Sequence, residues 1–454
     1  MPLLLLPYAT ITQALSATTA QVIHGSQPYL TFDNGVTRVT TTDGLLGIKL
    51  SNGARFTPAT NTSTASNPIV LPEANQSFAD IDMLVPPTTD SITLNALIGA
   101  PYNYWGDDDG DGQGANGVTA SGNLSLRITD KNGQAVSRDT VLSLCNKAPY
   151  KVVLTSTAGS LTTQYGLPNS SSFSGGTATY YISPKAAPTI CYIYTPNAEM
   201  DTGNLAGPAT IWNPDKGFLV QSTTPSSYSR NFPTTGANNL YFDLDISGVN
   251  GSALTWPTVS QGGITATMTP LPYHPNYIRV TLTGPVATAA QISSATPGSV
   301  ATPSLPQTFV LVGKDRRNRE ILKYGFKLQH WFVNRGDKKD TPANHSSWCS
   351  SLGGGYRLPQ VKDLTNATGG TWTGGTPPST TGNYYNRNIG AGLFAEWGYM
   401  YDYTAAGFAN HDYWTRDTNR SNHFAVNSGS GSVSSSNPSD SDPSYSDNGV
   451  CAYP

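Results

Sequence analysis

Short runs in which every second residue is apolar recur along the first two thirds of the chain. This period is typical of a β-strand with one buried face. Asn34-Gly35 and Asn132-Gly133 follow two of the runs and predict tight hairpin turns. The pattern therefore predicts packed β-sheets between about residues 29 and 310. The runs cover residues 29–33, 123–129, 177–182, 240–246 and 277–282.

The composition agrees with a strand-rich protein. Charged residues make up 12% of the chain, against the ~25% that is usual in soluble domains. The sequence contains 45 Gly and 33 Pro, which interrupt the apolar runs as turns do in all-β modules. The formal net charge of -3 gives no indication of a polyanionic partner, so no nucleic acid is expected. We therefore predict a mostly β protein.

The length of 454 residues favours several domains. Domain boundaries are indicated near residues 200–207 and in the low-complexity stretch at 287–306. The predicted segments are an N-terminal segment at 1–28, a β-sandwich domain at 29–203, a second β-sandwich domain at 204–310 and a C-terminal domain at 311–454.

The chain has four cysteines, enough for one disulfide bond in each of two domains. Cys145 and Cys191 lie in apolar runs, so both are predicted as strand residues of one β-domain and as disulfide partners. Such a bond persists only in an oxidising compartment. The alternative is four reduced, buried thiols.

The C-terminal domain contains a series of motifs in a fixed order. They are Cys349, residues 356–359 (Tyr-Arg-Leu-Pro), 393–398 and 413–417 (Tyr-Trp-Thr-Arg-Asp), and Cys451. This order resembles the C-type lectin-like fold. The resemblance implies an α+β domain in which Cys349 on an early helix pairs with Cys451 on the final strand. It also implies that the Arg-Leu-Pro segment enters a second helix and that the Tyr-Trp-Thr segment is a core strand.

Three further motifs lie at residues 106–112, 211–218 and 231–237. They resemble a repeat family of enterobacterial adhesins, found beside immunoglobulin-like domains in the intimin/invasin group. The resemblance implies tandem immunoglobulin-like or β-sandwich domains followed by the lectin-like domain. It further implies a virulence-associated adhesin, secreted or on the bacterial cell surface. The implied partners are a host or bacterial surface receptor and an outer-membrane β-barrel as partner or anchor.

Aromatic and arginine residues of the C-terminal domain are the candidates for receptor contact, because protein interfaces favour both types. Trp372 lies among glycines and threonines, outside the motifs of the lectin-like resemblance. Trp348, Trp397 and Trp414 lie within those motifs and are predicted to pack in the core. The predicted receptor-binding residues are Trp372, Tyr384, Tyr385, Arg387 and Arg420.

Two other sequence features concern the kind of receptor that the protein binds. Arg335-Gly336-Asp337 is the tripeptide that integrins recognise, although solvated loop charges are the ordinary explanation of such a short match. The calcium-dependent sugar motifs of lectins, Glu-Pro-Asn or Gln-Pro-Asp followed by Trp-Asn-Asp, do not occur in the sequence. We therefore expect a protein receptor or a calcium-free glycan contact.

Asp107, Asp109 and Asp111 are the candidate metal ligands. Asp at alternate positions followed by Gly112 matches the first half of a calcium loop. The twelfth position of that loop is Val118, where a bidentate Glu is usual. The segment is therefore either a structural calcium site or a solvated acidic turn, and no other cofactor is expected.

The sequence gives no motif for catalysis. It lacks a His-Glu-x-x-His metal motif, a Gly-x-Ser-x-Gly nucleophile elbow and a phosphate-binding P-loop. No stretch approaches the roughly twenty apolar residues of a membrane-spanning helix, and no export signal is evident at the N-terminus. We therefore predict a binding protein and not an enzyme. The alternatives are a structural module such as a phage or pilus-like fibre tip and a glycan hydrolase.

Overall fold

The computed structural model describes residues 24–108, 117–145, 147–369, 372, 379–437 and 446–454. The chain divides after Lys185 into two compact units, called unit 1 and unit 2 below. Each unit has a hydrophobic core of its own. Strands predominate over helices in both, which confirms the prediction of a mostly β protein.

Unit 1 consists of short strands and two short helices. The strands are β1 (Tyr29–Leu30), β2 (Ile48–Lys49), β3 (Arg55–Phe56), β4 (Ile69–Val70), β5 (Ser91–Thr93), β6 (Trp105–Gly106), β7 (Thr119–Ser121), β8 (Asn123–Thr129), β9 (Tyr150–Ser156), β10 (Gly159–Thr162), β11 (Ser170–Phe173) and β12 (Gly176–Ser183). The helices are α1 (Thr42–Leu45) and α2 (Leu94–Ile98), and a 3-10 turn covers Phe78–Asp80.

The main sheet of unit 1 has the strand order β4-β12-β9-β8-β5. β4 and β12 run parallel, and the other neighbours are antiparallel. The period of two decides which face is buried, because Leu124, Leu126 and Ile128 of β8 point into the core. Arg127 and Thr129 therefore lie on the opposite face, and Gly133 with a φ of +80° makes the turn that follows. A second sheet has the order β11-β10-β7, and the pairs β1-β6 and β2-β3 complete the unit.

Unit 2 contains fifteen strands and four helices among its described residues. The strands are β13 (Thr189–Tyr194), β14 (Trp212–Asn213), β15 (Gly217–Leu219), β16 (Thr235–Ala237), β17 (Tyr241–Ser247), β18 (Val259–Gln261), β19 (Ile264–Leu271), β20 (His274–Thr283), β21 (Gln307–Lys314), β22 (Glu320–Leu328), β23 (His330–Asn334), β24 (Asp412–Asn419), β25 (Asn422–Asn427), β26 (Val433–Ser436) and β27 (Val450–Tyr453). The helices are α3 (Ala289–Ser293), α4 (Pro342–Ser351), α5 (Val361–Leu364) and α6 (Leu393–Trp397). Short 3-10 turns cover Ala198–Met200, Gly203–Leu205, Pro225–Arg230, Gly251–Ala253, Met400–Asp402 and Thr404–Ala406.

The strands of unit 2 form four sheets. The largest has the order β14-β15-β13-β17-β20-β19-β18, and β21 and β22 form a hairpin. The other two have the orders β16-β23-β27 and β24-β25-β26. β16 belongs by sequence to the predicted second sandwich, yet it pairs in parallel with β23 of the predicted C-terminal domain.

The observed division differs from the three predicted domains. The boundary between the two units lies after Lys185, whereas the first predicted boundary lies at 203/204. Residues 186–454 form one unit, because a continuous core runs from Ile190 to Ala452. The low-complexity stretch at 287–306 packs within that unit, where the Tyr356 hydroxyl donates to the Ala301 carbonyl.

Three expected elements of residues 311–454 are observed: a helix that carries Cys349, a second helix after the Arg-Leu-Pro segment and a strand at the Tyr-Trp-Thr segment. Cys349 lies on α4, and α5 follows the Arg-Leu-Pro segment. Thr341 caps α4 through a hydrogen bond to the Asn344 N–H, and Pro342 stands in its first turn. The side chains of His345, Trp348 and Cys349 are buried together on one face of this helix.

One disulfide bond joins α4 to the last strand, since Cys349 is bonded to Cys451 with Cα atoms 5.4 Å apart. Cys145 and Cys191, the other two cysteines, are also disulfide-bonded, as their predicted pairing requires. Cys191 lies on β13 as predicted. Cys145 lies in a bend of unit 1 and not on a strand, so the prediction of two strand residues in one domain was wrong.

Candidate functional site

Two loop segments, one containing Thr368 and the other containing Gly382 and Asn383, pack onto the sheet β24-β25-β26. The two segments bond to each other, since the Thr368 N–H donates to the Gly382 carbonyl at 3.1 Å. Asn383 fixes them to the sheet: its side chain donates to the Val433 carbonyl at 2.9 Å and accepts the Val433 N–H at 2.7 Å. The sheet thus supports irregular backbone at its edge. We call the surface made by Trp372, Asn383, Tyr384, Arg420 and Asn422 the loop face.

Trp372 is the largest side chain of the loop face. Its ring packs edge to face against Phe424 of β25, with centroids 5.1 Å apart. The indole N–H is buried and donates to none of the residues that the structure describes. Trp372, a predicted receptor contact, is therefore half-buried.

Arg420 and Tyr384 are also on this surface. Arg420 is exposed in the turn between β24 and β25, with a φ of +58°. Asn422, the first residue of β25, lies about 7 Å along the strand from Phe424, against which Trp372 packs. Tyr384 is half-buried. Three of the five predicted receptor-binding residues are thus at least partly exposed, on the loops and the hairpin turn of the sheet β24-β25-β26.

Tyr385 and Arg387 are not surface residues, and the prediction that they contact a receptor is corrected. Both are fully buried. The Tyr385 hydroxyl donates to Asp201 Oδ1 at 2.7 Å, and Arg387 Nη1 donates to Asp201 Oδ2 at 2.5 Å. Arg387 Nη2 donates to Thr195 Oγ1 at 2.9 Å and to the Glu396 carbonyl at 2.8 Å. A loop that is polar in sequence therefore supplies a buried ion pair.

The guanidinium of Arg387 is enclosed by aromatic rings as well. It lies 4.2 Å from the centroid of Trp212 and 5.2 Å from that of Phe218. Burial raises the pKa of the Tyr385 hydroxyl well above its usual range, and the Asp201 carboxylate adds to that rise. This cluster has a packing role and offers no group to a ligand in solution.

Glu396 is a second buried charge that joins α6 to the start of β16. Its carboxylate accepts hydrogen bonds from the N–H and hydroxyl groups of Thr234 and Thr235 and from the Gly390 N–H. Burial raises its pKa, and the bonds from Thr235 and Gly390 oppose that rise. Neither Glu396 nor Asp201 was predicted from the sequence to hold distant segments together. A carboxylate within the apolar run Leu393–Trp397 was the available indication for Glu396.

The Arg335-Gly336-Asp337 tripeptide does not present its arginine to solvent. Arg335 is 2% exposed, and its guanidinium lies 5.1 Å from the Trp348 ring. Its Nη1 lies 3.2 Å from His345 Nδ1 and 3.4 Å from Asp340 Oδ2. A receptor that needs an exposed arginine cannot reach this one.

The predicted calcium ligands are only partly within the described residues. Asp107 is described and is buried at the end of β6, whereas Asp109 and Asp111 lie outside the described residues. No group of three or more His, Cys, Asp or Glu residues suited to a metal ion occurs in the part of the chain that the structure describes. Calcium binding therefore stays a prediction, tested by melting the full chain with and without calcium.

The buried histidine of unit 2 is held by structural contacts. His345 Nε2 donates to the Asp447 carbonyl at 3.0 Å, and Nδ1 faces Arg335. Burial, assisted by the Arg335 charge, lowers the pKa of His345 to about 4. His345 is therefore neutral near pH 7. Among the described helices, none has the length and apolar character needed to span a membrane.

No family model matches the chain, and no curated protein matches it. Solved structures to which it is similar include invasin, a bacterial integrin-binding protein, at 14% identity and a TM-score of 0.35. That alignment covers 75% of this chain and 52% of the invasin chain, so the chain spans about half of invasin. A C-terminal 282-residue fragment of intimin, in complex with the intimin-binding domain of the translocated intimin receptor, shares 15% identity over 76% of this chain and 90% of the fragment, with a TM-score of 0.33.

The adhesin InvE of Yersinia pseudotuberculosis is similar at 11% identity and a TM-score of 0.14, over 77% of this chain and 91% of InvE. The TM-scores are too low to establish a common fold.

Proposed function

We propose that this protein is a binding protein of the adhesin type, secreted or displayed on a bacterial surface, which engages a protein or glycan receptor through the loop face. The observation that carries the proposal is that Trp372, Tyr384 and Arg420 are each at least partly exposed on the loops and the hairpin turn of the sheet β24-β25-β26. Rigid aromatic side chains give a large contact area at low ordering cost, and arginine adds directional hydrogen bonds. The motif resemblance to the intimin/invasin group and the lectin-like motif order support the same role.

Binding of the full chain to epithelial cells, measured by flow cytometry, tests the proposal. We expect Trp372→Ala with Arg420→Gln to weaken binding by at least about tenfold, the loss typical when interface anchors are truncated. The matched control is Tyr165→Ala with Arg55→Gln, which removes one exposed tyrosine and one exposed arginine elsewhere. Circular dichroism of each variant establishes that it is folded.

Two results would contradict the proposal in different ways. Wild-type protein that binds neither cells nor a receptor array would reject the adhesin function. Folded loop-face variants that bind as well as wild type would reject the loop face and direct attention to the basic stretch at residues 314–339.

A further inference from the structure

The outward face of the main sheet of unit 1 carries a cleft of about 420 Å³. It lies over β8, β9 and β12, on the face opposite the core. Cationic side chains surround a floor of apolar and aromatic groups. Its lining includes Arg127, Lys131, Pro149, Lys151, Val153 and Tyr181.

The strand register brings the cations together. Arg127 is paired with Val153, and Lys151 with Thr129, so Arg127 and Lys151 are diagonal neighbours on one face. Such neighbours are about 7–8 Å apart, within reach of one ligand for two long side chains. Lys131 joins them from the following turn, where its N–H donates to the Lys147 carbonyl at 3.0 Å.

These cations are not neutralised within the described residues. No ion pair there involves Arg127, Lys131 or Lys151, and all three are exposed. The carboxylate of the cleft, Asp130, is buried, and its Oδ1 accepts the N–H groups of Asn132 at 2.9 Å and Gln134 at 3.0 Å. Asp130 therefore stabilises the turn. The cleft contains three cationic side chains and one carboxylate.

We propose that this cleft binds a sulfated polysaccharide. The fork of Arg127 and the ammonium groups of the two lysines suit sulfate oxygens, and Arg in particular bonds planar or tetrahedral oxyanions through paired N–H groups. Tyr181 and Val153 offer apolar surface to the C–H face of a sugar ring. The net charge of the whole chain is -3, so it gave no indication of this local excess of positive charge.

A sulfated glycan fits better than a nucleic acid. Single-stranded nucleic acid is bound by several aromatic platforms along an extended groove, whereas this cleft has one tyrosine, which is half-buried. The four disulfide-bonded cysteines also place the protein in an oxidising compartment, where extracellular glycans occur. The proposal concerns unit 1 and is independent of the loop face of unit 2.

Surface plasmon resonance of the full chain on immobilised heparin, at about 0.15 M salt, tests the proposal. We expect Arg127→Gln with Lys151→Gln to weaken binding at least about tenfold, because two charge-assisted contacts are lost. The control, Arg55→Gln with Arg230→Gln, removes two other exposed arginines and should stay within about twofold. Desulfated heparin, which retains its carboxylates, should bind at least about tenfold more weakly than heparin.

Each contrary result overturns a defined part of the proposal. Absence of heparin binding by wild type, or equal loss in both double variants, would reject the cleft as a site. Equal binding of desulfated heparin would reject sulfate as the recognised group. Binding of single-stranded DNA of matched charge with equal affinity would replace the glycan with a general polyanion.

Discussion

Arg387 shows that a charged residue in a polar loop can belong to the core. Its neighbours in sequence are mainly Asn, Tyr and Gly, which gave no indication of burial. Its partners Asp201 and Thr195 are more than 180 residues away, and Glu396 supplies a carbonyl from α6. Only the folded chain brings these groups together. They pair the charge and the N–H groups of Arg387, which would otherwise be buried at a high cost in free energy.

We expect Arg387→Ala to lower the free energy of unfolding by about 3–5 kcal/mol, because it leaves Asp201 buried without its cation. Arg420→Ala is the matched control, since that arginine is exposed, and its effect should stay within about 0.5 kcal/mol. Urea unfolding followed by tryptophan fluorescence measures both. An Arg387→Ala variant as stable as wild type would show that the Asp201 carboxylate is stabilised by other groups.

His345 predicts a defined pH dependence. Its pKa is 6.5 in the unfolded chain and about 4 when folded, so the unfolded chain binds more protons between these values. The stability that it contributes is therefore present above pH 6.5 and is lost as the pH falls toward 4. The amount is on the order of 3 kcal/mol. Burial raises the pKa of Asp447 to about 6, which gives a contribution of opposite sign.

The difference in unfolding free energy between wild type and His345→Gln, measured from pH 7 to pH 4, isolates the histidine. We expect that difference to shrink on acidification, because only wild type takes up the unfavourable proton. His411→Gln, at an exposed position, is the control. Parallel curves for wild type and His345→Gln would contradict the assigned burial effect.

At the scale of elements, helix α4 is fixed to β27 by a disulfide bond and by packing. Cys349 and Trp348 lie on its buried face, and Cys451 lies in the middle of the strand. The disulfide closes a segment with a sequence separation of 102. The loop-face segments and the sheet β24-β25-β26 lie between these two elements in sequence, so the bond restrains the unfolded chain across the whole candidate site.

Cys349→Ser with Cys451→Ser should lower the free energy of unfolding by about 2–5 kcal/mol, mainly by increasing the entropy of the unfolded chain. Guanidinium unfolding of the oxidised protein measures the change. Ser346→Ala, on the exposed side of α4, is the control. A double variant as stable as wild type would show that packing alone fixes the helix.

At the scale of the whole molecule, the two units have separate hydrophobic cores. Leu154 is buried in the core of unit 1, and Trp414 in that of unit 2. Unit 2 contains both the seven-stranded sheet and the candidate receptor site. The proposed receptor surface thus belongs to the larger of the two units.

We expect two calorimetric transitions that respond separately to cavity mutations. Leu154→Ala should lower one transition and Trp414→Ala the other, since each removes buried side-chain volume worth about 2–5 kcal/mol. Differential scanning calorimetry of the full chain measures the two midpoints. One transition that both variants shift equally would show that the cores unfold together.

Local sequence patterns predicted the positions of several secondary-structure elements. Alternation of apolar and polar residues located β8, β12, β17 and β20, because the strand period places every second side chain in the core. The motif order around Cys349 and Cys451 located the helices and the closing strand of the C-terminal part. Trp348, Trp397 and Trp414 are buried as predicted.

Tertiary structure alone decided the unit boundaries and the burial of the loop residues. β16 pairs with β23 across roughly ninety residues, and this pairing unites two predicted domains. Tyr385 and Arg387 are buried because Asp201 and Thr195 reach them from a distant segment. The cationic cleft likewise depends on strand register, which brings Arg127 beside Lys151. Such contacts depend on which distant segments meet, and the local pattern of apolar and polar residues does not specify that.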